Sequence, residues 1–230
     1  MSSLRVVVAG LREGEMTLSS ETGRYVTRVH RCGVGDVIVG FDPESELEAE
    51  GELVATRPAQ VCFSAPVKTT RLPPVLTTLI QCMAKGNKVD AVVRDATELG
   101  VSRIVLAVAT RSVKRGGDLE RYRRVALEAA RQCGRGDVPK MLGVMDLQEA
   151  WSLAEGRRIL LDGAGAPLAE ALAEAEEVTL AVGPEGGFTE AERAAAVKAG
   201  FVIGRLGTFV MRTETAAAAA LGARWALVGG

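Results

Sequence analysis

From residue 75 onward, short apolar runs alternate with segments of helical spacing, and this alternation limits the fold more than any other feature. The predicted strands lie at 75–81, 103–109, 158–161 and 178–182. One amphipathic segment spans 87–100, and a second begins at Asp118 and ends at Gly134. Such alternation is typical of an α/β domain with a mostly parallel sheet, and we predict this fold class for the larger part of the chain.

The first 65 residues show a different pattern, in which short β-forming runs are separated by turn residues. The runs lie at 4–9, 25–29, 37–41 and 61–63, and the acidic residues of 44–53 alternate with others at period two. Roughly five or six short strands in this length indicate a small β-barrel. Pro73 and Pro74 end a polar linker at 67–74, so we predict a boundary near residue 70, with domains at 1–70 and 71–230.

Two glycine-bearing loops near the C-terminus mark the predicted site. The first, GPEGGF at 183–188, follows the apolar run 178–182 and precedes Thr189 and Glu192, which have the spacing of a capping box. The second, at 206–216, follows the run 201–206 and leads into an alanine-rich helix. Ligands of open parallel sheets bind beyond the carboxyl ends of the strands. We therefore expect these two loops to form one site.

The first loop does not match the usual phosphate-binding loops. It lacks the lysine and hydroxyl of a P-loop and the spacing G-x-G-x-x-G. Glu185 at its centre disfavours a phosphate and tolerates a cation, and glycines let a ligand approach the backbone closely. A nucleoside that carries positive charge, such as S-adenosylmethionine, suits these properties. A plain tight turn before a capped helix is an equally weighted alternative.

The charge of the chain is unevenly distributed. Residues 85–140 carry 13 Lys and Arg against 7 Asp and Glu, whereas residues 141–230 carry 7 against 12. A basic region attracts polyanions, although a solvated helix face explains it as well. One guanidinium group can donate hydrogen bonds to two phosphate oxygens at once, so Arg131 and Arg135 are candidate RNA contacts. Arg24, Arg28 and Arg31 are candidates on the barrel, with scattered surface arginines as the alternative.

The cysteines and the N-terminus indicate where such a chain works. Its four cysteines form no C-x-x-C pair, which argues against a metal site and predicts free, mostly buried thiols in a reducing cytoplasm. The N-terminus has no signal-peptide layout. The longest uncharged run, 72–84, is well short of a membrane span. We expect a soluble, cytoplasmic protein without membrane contact.

Six short segments occur in a characteristic order along the chain. They are AKG at 84–86, ATELGV at 96–101, EAARQCGR at 128–135, VP at 138–139, GPEGGF at 183–188 and MRTETA at 211–216. Together they resemble the RsmE family of the SPOUT superfamily, whose members methylate ring nitrogen N3 of a uridine in small-subunit ribosomal RNA. The stretch VHR at 29–31 with GDV at 35–37 is similar to the N-terminal motif of that family.

The resemblance implies an architecture and a set of partners. Residues 1–70 are expected to form a PUA-like, RNA-binding barrel, and residues 71–230 a trefoil-knotted SPOUT domain that binds S-adenosylmethionine. The enzyme is expected to be a homodimer with its site near the interface, acting on ribosomal RNA of the small subunit. The residues expected to contact the cofactor are Leu161, Val182, Gly183, Pro184, Glu185, Gly186, Leu206, Gly207, Val210 and Met211.

Methyl transfer to a uracil nitrogen requires positioning and removal of a proton. Arg212 is the predicted positive charge that favours deprotonated uracil or holds the target nucleotide. Glu214 or Glu98 is expected to orient that residue or accept the proton. His30, the one histidine, lies in the predicted barrel, and we do not favour it as a base.

The chain departs from the family pattern at positions that bear on RNA binding. Asp95 stands where many members carry lysine, with Arg94 beside it as a compensating RNA contact, and Phe209 replaces an arginine or other residue of the family's L-G-x-R-[VI]-L-R form. The aromatic-rich N-terminal signature is absent at 6–8. The loss of positive charge at 95 and 209 motivates one alternative, a ribosome-binding or assembly protein with little turnover. A SPOUT methyltransferase that acts on another RNA is the other alternative.

Overall fold

The structure is a computed structural model that describes residues 3–113, 116–172 and 175–228. The chain divides into two compact units. The first consists of Met1–Leu72 together with Ala130–Val138, and the second of Pro73–Ala129 together with Pro139–Gly230. The assignment of a PUA-like barrel to 1–70 and a SPOUT domain to 71–230 stays a prediction.

The first unit is built on a six-stranded, mostly antiparallel sheet. Its strands are β1 (Leu4–Val7), β2 (Gly14–Thr17), β3 (Val37–Asp42), β4 (Leu47–Thr56), β5 (Ala59–Phe63) and β6 (Val67–Lys68). Their order is β1-β3-β4-β5-β2, with β6 paired to β4 and only β1 and β3 parallel. In β4, buried Ala49, Gly51 and Leu53 alternate with exposed Glu50 and Glu52, which confirms the period-two prediction.

Two predictions for this unit are wrong. The run at 25–29 is not a strand: helix α1 (Ser20–Arg24) continues into a π-helical turn, Tyr25–Val29. The Ser19 hydroxyl accepts the Thr22 amide at 3.1 Å and Thr27 Oγ1 donates to the Gly23 carbonyl at 2.7 Å, and such local bonds favour a helical start. The predicted linker also contains a strand, because β6 pairs with β4.

The second unit is an α/β fold with an entirely parallel sheet, as predicted. Its strands lie in the order β12-β10-β11-β7-β8-β9. In chain order its elements are β7 (Thr77–Cys82), α2 (Lys88–Glu98), β8 (Arg103–Val108), α3 (Leu119–Cys133), β9 (Lys140–Asp146), α4 (Leu147–Ser152), β10 (Arg157–Pro167), α5 (Leu168–Leu172), β11 (Val178–Val182), α6 (Glu190–Lys198), β12 (Val202–Arg205) and α7 (Thr213–Val228).

The middle strands of this sheet carry the core. Every residue of β7 and β11 is buried, which explains why β11 is an almost continuous apolar run, whereas β7 buries the polar side chains of Thr77, Thr78 and Gln81 as well. Gly100 and Gly134 have positive φ at the ends of α2 and α3, as their positions in the sequence predict. Thr189 and Glu192 form the predicted capping box at the start of α6. β9 and α4 are not among the elements predicted from the sequence.

The segment Ala130–Val138 completes the first unit. The Gly136 amide donates to the Arg71 carbonyl at 2.9 Å, and the Arg131 guanidinium lies 4.2 Å from the centre of the Tyr25 ring. Arg5 Nη2 reaches the Arg135 carbonyl at 3.4 Å. The last four residues of α3 therefore belong to a different unit from the rest of that helix.

All four cysteines are free, but the prediction that most are buried is wrong. Cys82 is buried, Cys32 is half-buried, and Cys62 and Cys133 are exposed. Burial raises the pKa of the Cys82 thiol, and the carboxylate of Glu192 adds to the effect. No helix among the described residues is long and apolar enough to cross a membrane.

Candidate functional site

A cavity of about 230 Å³ lies at the carboxyl ends of three neighbouring strands, β10, β11 and β12. Because the strands are parallel, the segments that follow them meet at one edge of the sheet. The cavity is lined by Leu161, Asp162, Gly163, Val182, Gly183, Pro184, Glu185, Gly187, Phe188, Arg205, Leu206, Gly207, Thr208, Phe209, Val210, Met211, Thr213 and Ala216. This lining is mostly apolar side chains and glycine backbone.

The structure brings together nine of the ten residues predicted to contact the cofactor. The exception is Gly186, which is outside the lining. Its carbonyl accepts a hydrogen bond from Arg111 Nη1 at 2.8 Å, so it anchors the first loop from outside the cavity. The cofactor role of the other nine stays a prediction.

The first loop, 183–188, turns tightly over the end of β11. Gly187 has φ +66°, and its amide donates to the Pro184 carbonyl at 2.8 Å. The buried ring of Phe188 packs close to Gly183, where an added Cβ would lie 3.2 Å from the ring. Glycine at this position lets the loop fold back on itself.

Glu185 in this loop is held by α2 and the residues before it. Its Oε1 accepts hydrogen bonds from Lys88 Nζ at 2.9 Å and from the Lys85 amide at 3.1 Å. Burial alone would raise the pKa of this carboxyl, but these bonds together outweigh it and hold the pKa below its usual range. The negative charge of Glu185 is therefore compensated by Lys88. For this reason Glu185 is weaker evidence for a positively charged ligand than its place in the sequence indicates.

The third wall of the cavity is a bulge in β10. The register of β10 against β12 shifts between Leu161 and Ala166, so residues 162–165 leave the ladder. Asp162 Oδ1 accepts the Ala164 amide at 3.0 Å, and Arg193 Nη1 lies 3.3 Å from Asp162 Oδ2. These bonds fix the bulge against α6.

The second loop is shorter than the predicted 206–216, because α7 begins at Thr213. It spans 206–212 and is anchored at its start and exposed at its tip. Arg205 Nε donates to the Gly165 carbonyl at 3.2 Å, and Arg205 Nη1 lies 3.4 Å from the Gly207 carbonyl. Gly207 has φ +63°. Phe209 and Val210 line the cavity, yet Phe209 is 86% exposed and Val210 is fully exposed. An apolar surface thus lies directly beside the cavity.

The three predicted catalytic residues lie in different places. Arg212 is exposed between two lining residues, and its guanidinium makes no hydrogen bond or ion pair with the residues the structure describes. Glu214 is half-buried, with Oε2 at 4.0 Å from Lys88 Nζ. Glu98 ends α2, roughly 15 Å along the helix axis from Lys88. The structure therefore does not bring Glu98 to the cavity.

Two of the predicted RNA-binding arginines line a groove in the first unit. Arg24 and Arg28 border this groove of about 530 Å³ together with Arg57, which sequence reasoning missed. Hydroxyls of serine and threonine contribute to its walls, and no carboxylate is among the described residues that line it. Arg31 is exposed with φ +57° but is outside the groove lining.

The other three candidates are less available. Arg94 is exposed and paired with Asp95 at 2.8 Å. Arg131 is half-buried against the Tyr25 ring. Arg135 is 6% exposed and binds both carboxylate oxygens of Asp137 at 2.8 Å, so its guanidinium is engaged inside the first unit. His30 is exposed in the same unit, with its ring 4.5 Å from that of Tyr25.

Four residues that matter at the cavity were not identified from the sequence as site residues. Asp162 directly follows the predicted strand 158–161, so the rule that selected Leu161 applies equally to it. Thr213 lies within the motif at 211–216. Lys88 and Gln81 carry no local signal, because their contacts are with residues about a hundred or more positions away.

A parallel-sheet domain with a cavity between loops at the carboxyl ends of its strands is typical of ligand-binding α/β proteins. Comparison with known proteins identifies the family to which the chain belongs. The family model for the RNA methyltransferase domain matches residues 71–225, and the chain belongs to this family. The resemblance to RsmE proteins is confirmed by relatives named ribosomal RNA small subunit methyltransferase E. The relative from Mycobacterium bovis is 35% identical over 66% of this chain, and that from Bacillus subtilis is 26% identical over 90% of this chain and 88% of its own length.

Solved structures resemble the chain over almost its full length. A ribosomal RNA small subunit methyltransferase E from Neisseria gonorrhoeae superposes with a TM-score of 0.90 at 27% identity, covering 98% of both chains. Lpg2936 from Legionella pneumophila superposes with a TM-score of 0.89 at 26% identity, covering 99% of this chain and 98% of its own. Both were solved with S-adenosylmethionine bound. The match to the mycobacterial relative spans 62% of that protein's length.

Proposed function

We propose that the protein uses S-adenosylmethionine to methylate ring nitrogen N3 of a uridine in small-subunit ribosomal RNA. The observation that carries the proposal is the convergence of the segments after β10, β11 and β12 on one cavity. Similar proteins bind S-adenosylmethionine, and the relatives are named for small-subunit ribosomal RNA. Since ribosomal RNA is the proposed substrate, the proposed place of action is the cytoplasm.

The residues of the cavity suit this cofactor. Leu161, Leu206 and Met211 offer an apolar surface for an adenine, and the backbones of 182–185 and 206–207 offer hydrogen-bonding groups to its edges and to the ribose. When bound, S-adenosylmethionine supplies a methyl group on a sulfonium. The cofactor site that we propose consists of the nine predicted residues in the lining, with Gly186 supporting the first loop.

Arg212 is the proposed catalytic residue. Its guanidinium is exposed, lacks a partner among the described residues, and follows Met211 at the cavity. A positive charge there stabilises the deprotonated uracil that attacks the methyl group. Glu214 is proposed to orient the second loop through its approach to Lys88. Glu98 is not proposed as a catalytic residue of this chain, because it lies at the opposite end of α2 from Lys88.

The first unit is the proposed RNA-binding part, with a PUA-like role. The groove bordered by Arg24, Arg28 and Arg57 carries positive charge, and its described lining residues include no carboxylate, which suits a phosphate backbone. Exposed Phe209 and Val210 beside the cavity support a homodimer with its interface near the site. The trefoil knot is part of the proposal through the resemblance to SPOUT proteins.

The test is methyl incorporation from labelled S-adenosylmethionine into unmodified small ribosomal subunits, followed by nucleoside analysis of the product. The wild type should produce N3-methyluridine, and Arg212→Ala should lose at least about a hundredfold in rate, the scale of one catalytic electrostatic group. Arg157→Ala is the matched control, since Arg157 is an exposed arginine at the opposite end of β10.

The outcomes separate the candidate functions. Cofactor binding without transfer to any RNA would contradict the proposal and favour an assembly protein. Transfer to transfer RNA but not to the subunit would favour a different target. Equal loss in both arginine variants would remove the assigned role of Arg212.

A further inference from the structure

A fully buried amide lies at the carboxyl end of β7, next to the strand that carries the first loop. Gln81 is 0% exposed, and its Nε2 donates to the Cys82 carbonyl at 2.8 Å and to Thr213 Oγ1 at 2.9 Å. A carbonyl can only accept, so the nitrogen of this amide must face Cys82. The other amide atom, Oε1, is buried without a hydrogen-bond partner among the described residues.

Thr213 passes this connection on to the first loop. It is 4% exposed at the start of α7, and its Oγ1 donates to the Gly183 carbonyl at 2.7 Å. Because its one proton is directed to Gly183, the hydroxyl must accept from Gln81. Gln81, Thr213 and Gly183 are thus joined by consecutive hydrogen bonds. These bonds connect β7, the start of α7 directly after the second loop, and the start of the first loop.

The hydrogen bonds between Gln81, Thr213 and Gly183 lie beside the cavity, so they can affect the cavity as well as the stability of the fold. Gly183 and Thr213 both line the cavity, whereas Gln81 does not. A buried amide with one unpaired oxygen is destabilising relative to an apolar side chain, and Leu79 and Ile80 on the same strand are fully buried without such a cost. What the amide supplies is a fixed orientation for the Thr213 hydroxyl, which in turn fixes the Gly183 carbonyl.

We propose that Gln81 is a positioning residue that acts through Thr213 to hold the two cavity loops at the spacing the cofactor requires. This inference rests on the proposed function. The hydrogen bond from Thr213 to Gly183 joins positions that lie 30 residues apart in sequence. Among the described residues around Gly183, no other side-chain hydrogen bond joins the two loops. Loss of either link should therefore loosen the loops together.

The experiment compares Gln81→Met, Thr213→Val and Thr213→Ser with the wild type, and uses two readouts that do not need turnover. The first is hydrogen exchange of backbone amides in 183–188 and 206–212 of the ligand-free protein. The second is the calorimetric Kd for S-adenosylmethionine. Met keeps the approximate volume of Gln, and Val keeps the shape of Thr, so each removes the polar group with little change in packing.

Thr213→Val should exchange faster in both loops and bind S-adenosylmethionine about tenfold more weakly, which is 1.4 kcal/mol. Thr213→Ser keeps the hydroxyl and should therefore restore most of the loop protection and of the affinity that Thr213→Val loses. Gln81→Met should weaken binding in the same direction although it does not line the cavity. The double variant Gln81→Met/Thr213→Val should be no worse than Thr213→Val alone, because the first residue acts through the second.

Several results would overturn the inference. Unchanged exchange in the loops of ligand-free Thr213→Val would do so whether or not the cofactor binds. Multiplying effects in the double variant would show that Gln81 acts independently of Thr213. A wild type that fails to bind S-adenosylmethionine would contradict the proposed function, and loop exchange alone would then decide whether the hydrogen-bonded chain positions the loops.

Discussion

Replacing Gly165 with alanine tests how the β10 bulge is held against β12. An added Cβ at this position would lie 2.5 Å from the Ile203 carbonyl oxygen and 2.8 Å from the Gly204 amide nitrogen. Both are backbone atoms of β12, so no side-chain rotation can relieve the contact. The bulge, which carries Asp162 and Gly163 at the cavity, must therefore move away from the sheet.

The expected cost follows from overpacking. Inserting a methyl group into a closely packed site typically costs about 1–3 kcal/mol. For a chain of this size, each kcal/mol lowers Tm by roughly 2–4 °C, so Gly165→Ala should melt about 2–12 °C below the wild type. The calorimetric Kd for S-adenosylmethionine should rise as well, since Arg205 Nε bonds the Gly165 carbonyl and helps to anchor the second loop.

The bulge also supplies a matched control. Gly163 lies two residues earlier, and an added Cβ there meets no atom within 4 Å. Neither glycine has positive φ, so the two substitutions differ in space and not in backbone strain. Thermal melts should therefore give Gly163→Ala a Tm within about 2 °C of the wild type. Equal melting temperatures for the two variants would refute the packing argument.

Three further perturbations follow from the described contacts. Glu185→Gln should lower Tm at neutral pH, and the difference from the wild type should vanish in acid. The lowered pKa of Glu185 gives stability that is present above its unfolded value of 4.5 and is lost as the pH falls through the folded value. Arg28→Gln with Arg57→Gln should reduce the slope of log affinity against log salt by roughly 1.4 in RNA titrations, about 0.7 for each phosphate contact. Thr189→Ala should destabilise the protein by about 1 kcal/mol in thermal or urea unfolding.

Each of these has its own control. A Tm difference at Glu185 that stays constant down to pH 3 would contradict the charge-assisted bond from Lys88. Arg12 is an exposed arginine of the first unit outside the groove, so Arg12→Gln should leave the salt slope unchanged. Thr189→Ser keeps the capping hydroxyl and should retain most of the stability that alanine loses.

Local patterns carried most of the prediction of the second unit. Runs of β-forming residues predicted its strands, most clearly at β11, which is mostly apolar because it is buried along its whole length. The capping box at Thr189 was predictable from spacing alone. Tyr25–Val29 misled for the opposite reason. Its β-forming residues follow Ser19, whose side chain caps a helix, and one capping bond outweighs weak strand propensity.

The cavity was predicted in outline because both glycine-bearing loops follow strands of one parallel sheet. The partners that hold those loops were not predictable in this way. Lys88 reaches Glu185 across 97 positions and Gln81 reaches Thr213 across 132, so the pairs depend on how the elements pack. The burial of Arg135 against Asp137 likewise depends on where the end of α3 packs, which no periodicity reveals.

The assignment of Ala130–Val138 to the first unit bears on the order in which the molecule can be made. Translation adds residues 1–72 before the other segment of the same unit. The Gly136 amide, which donates to the Arg71 carbonyl, is added 64 codons after residue 72. A nascent chain that stops short of residue 138 therefore lacks part of its N-terminal unit. The first unit can be completed only after residues 73–129, which belong to the second unit, have been synthesised.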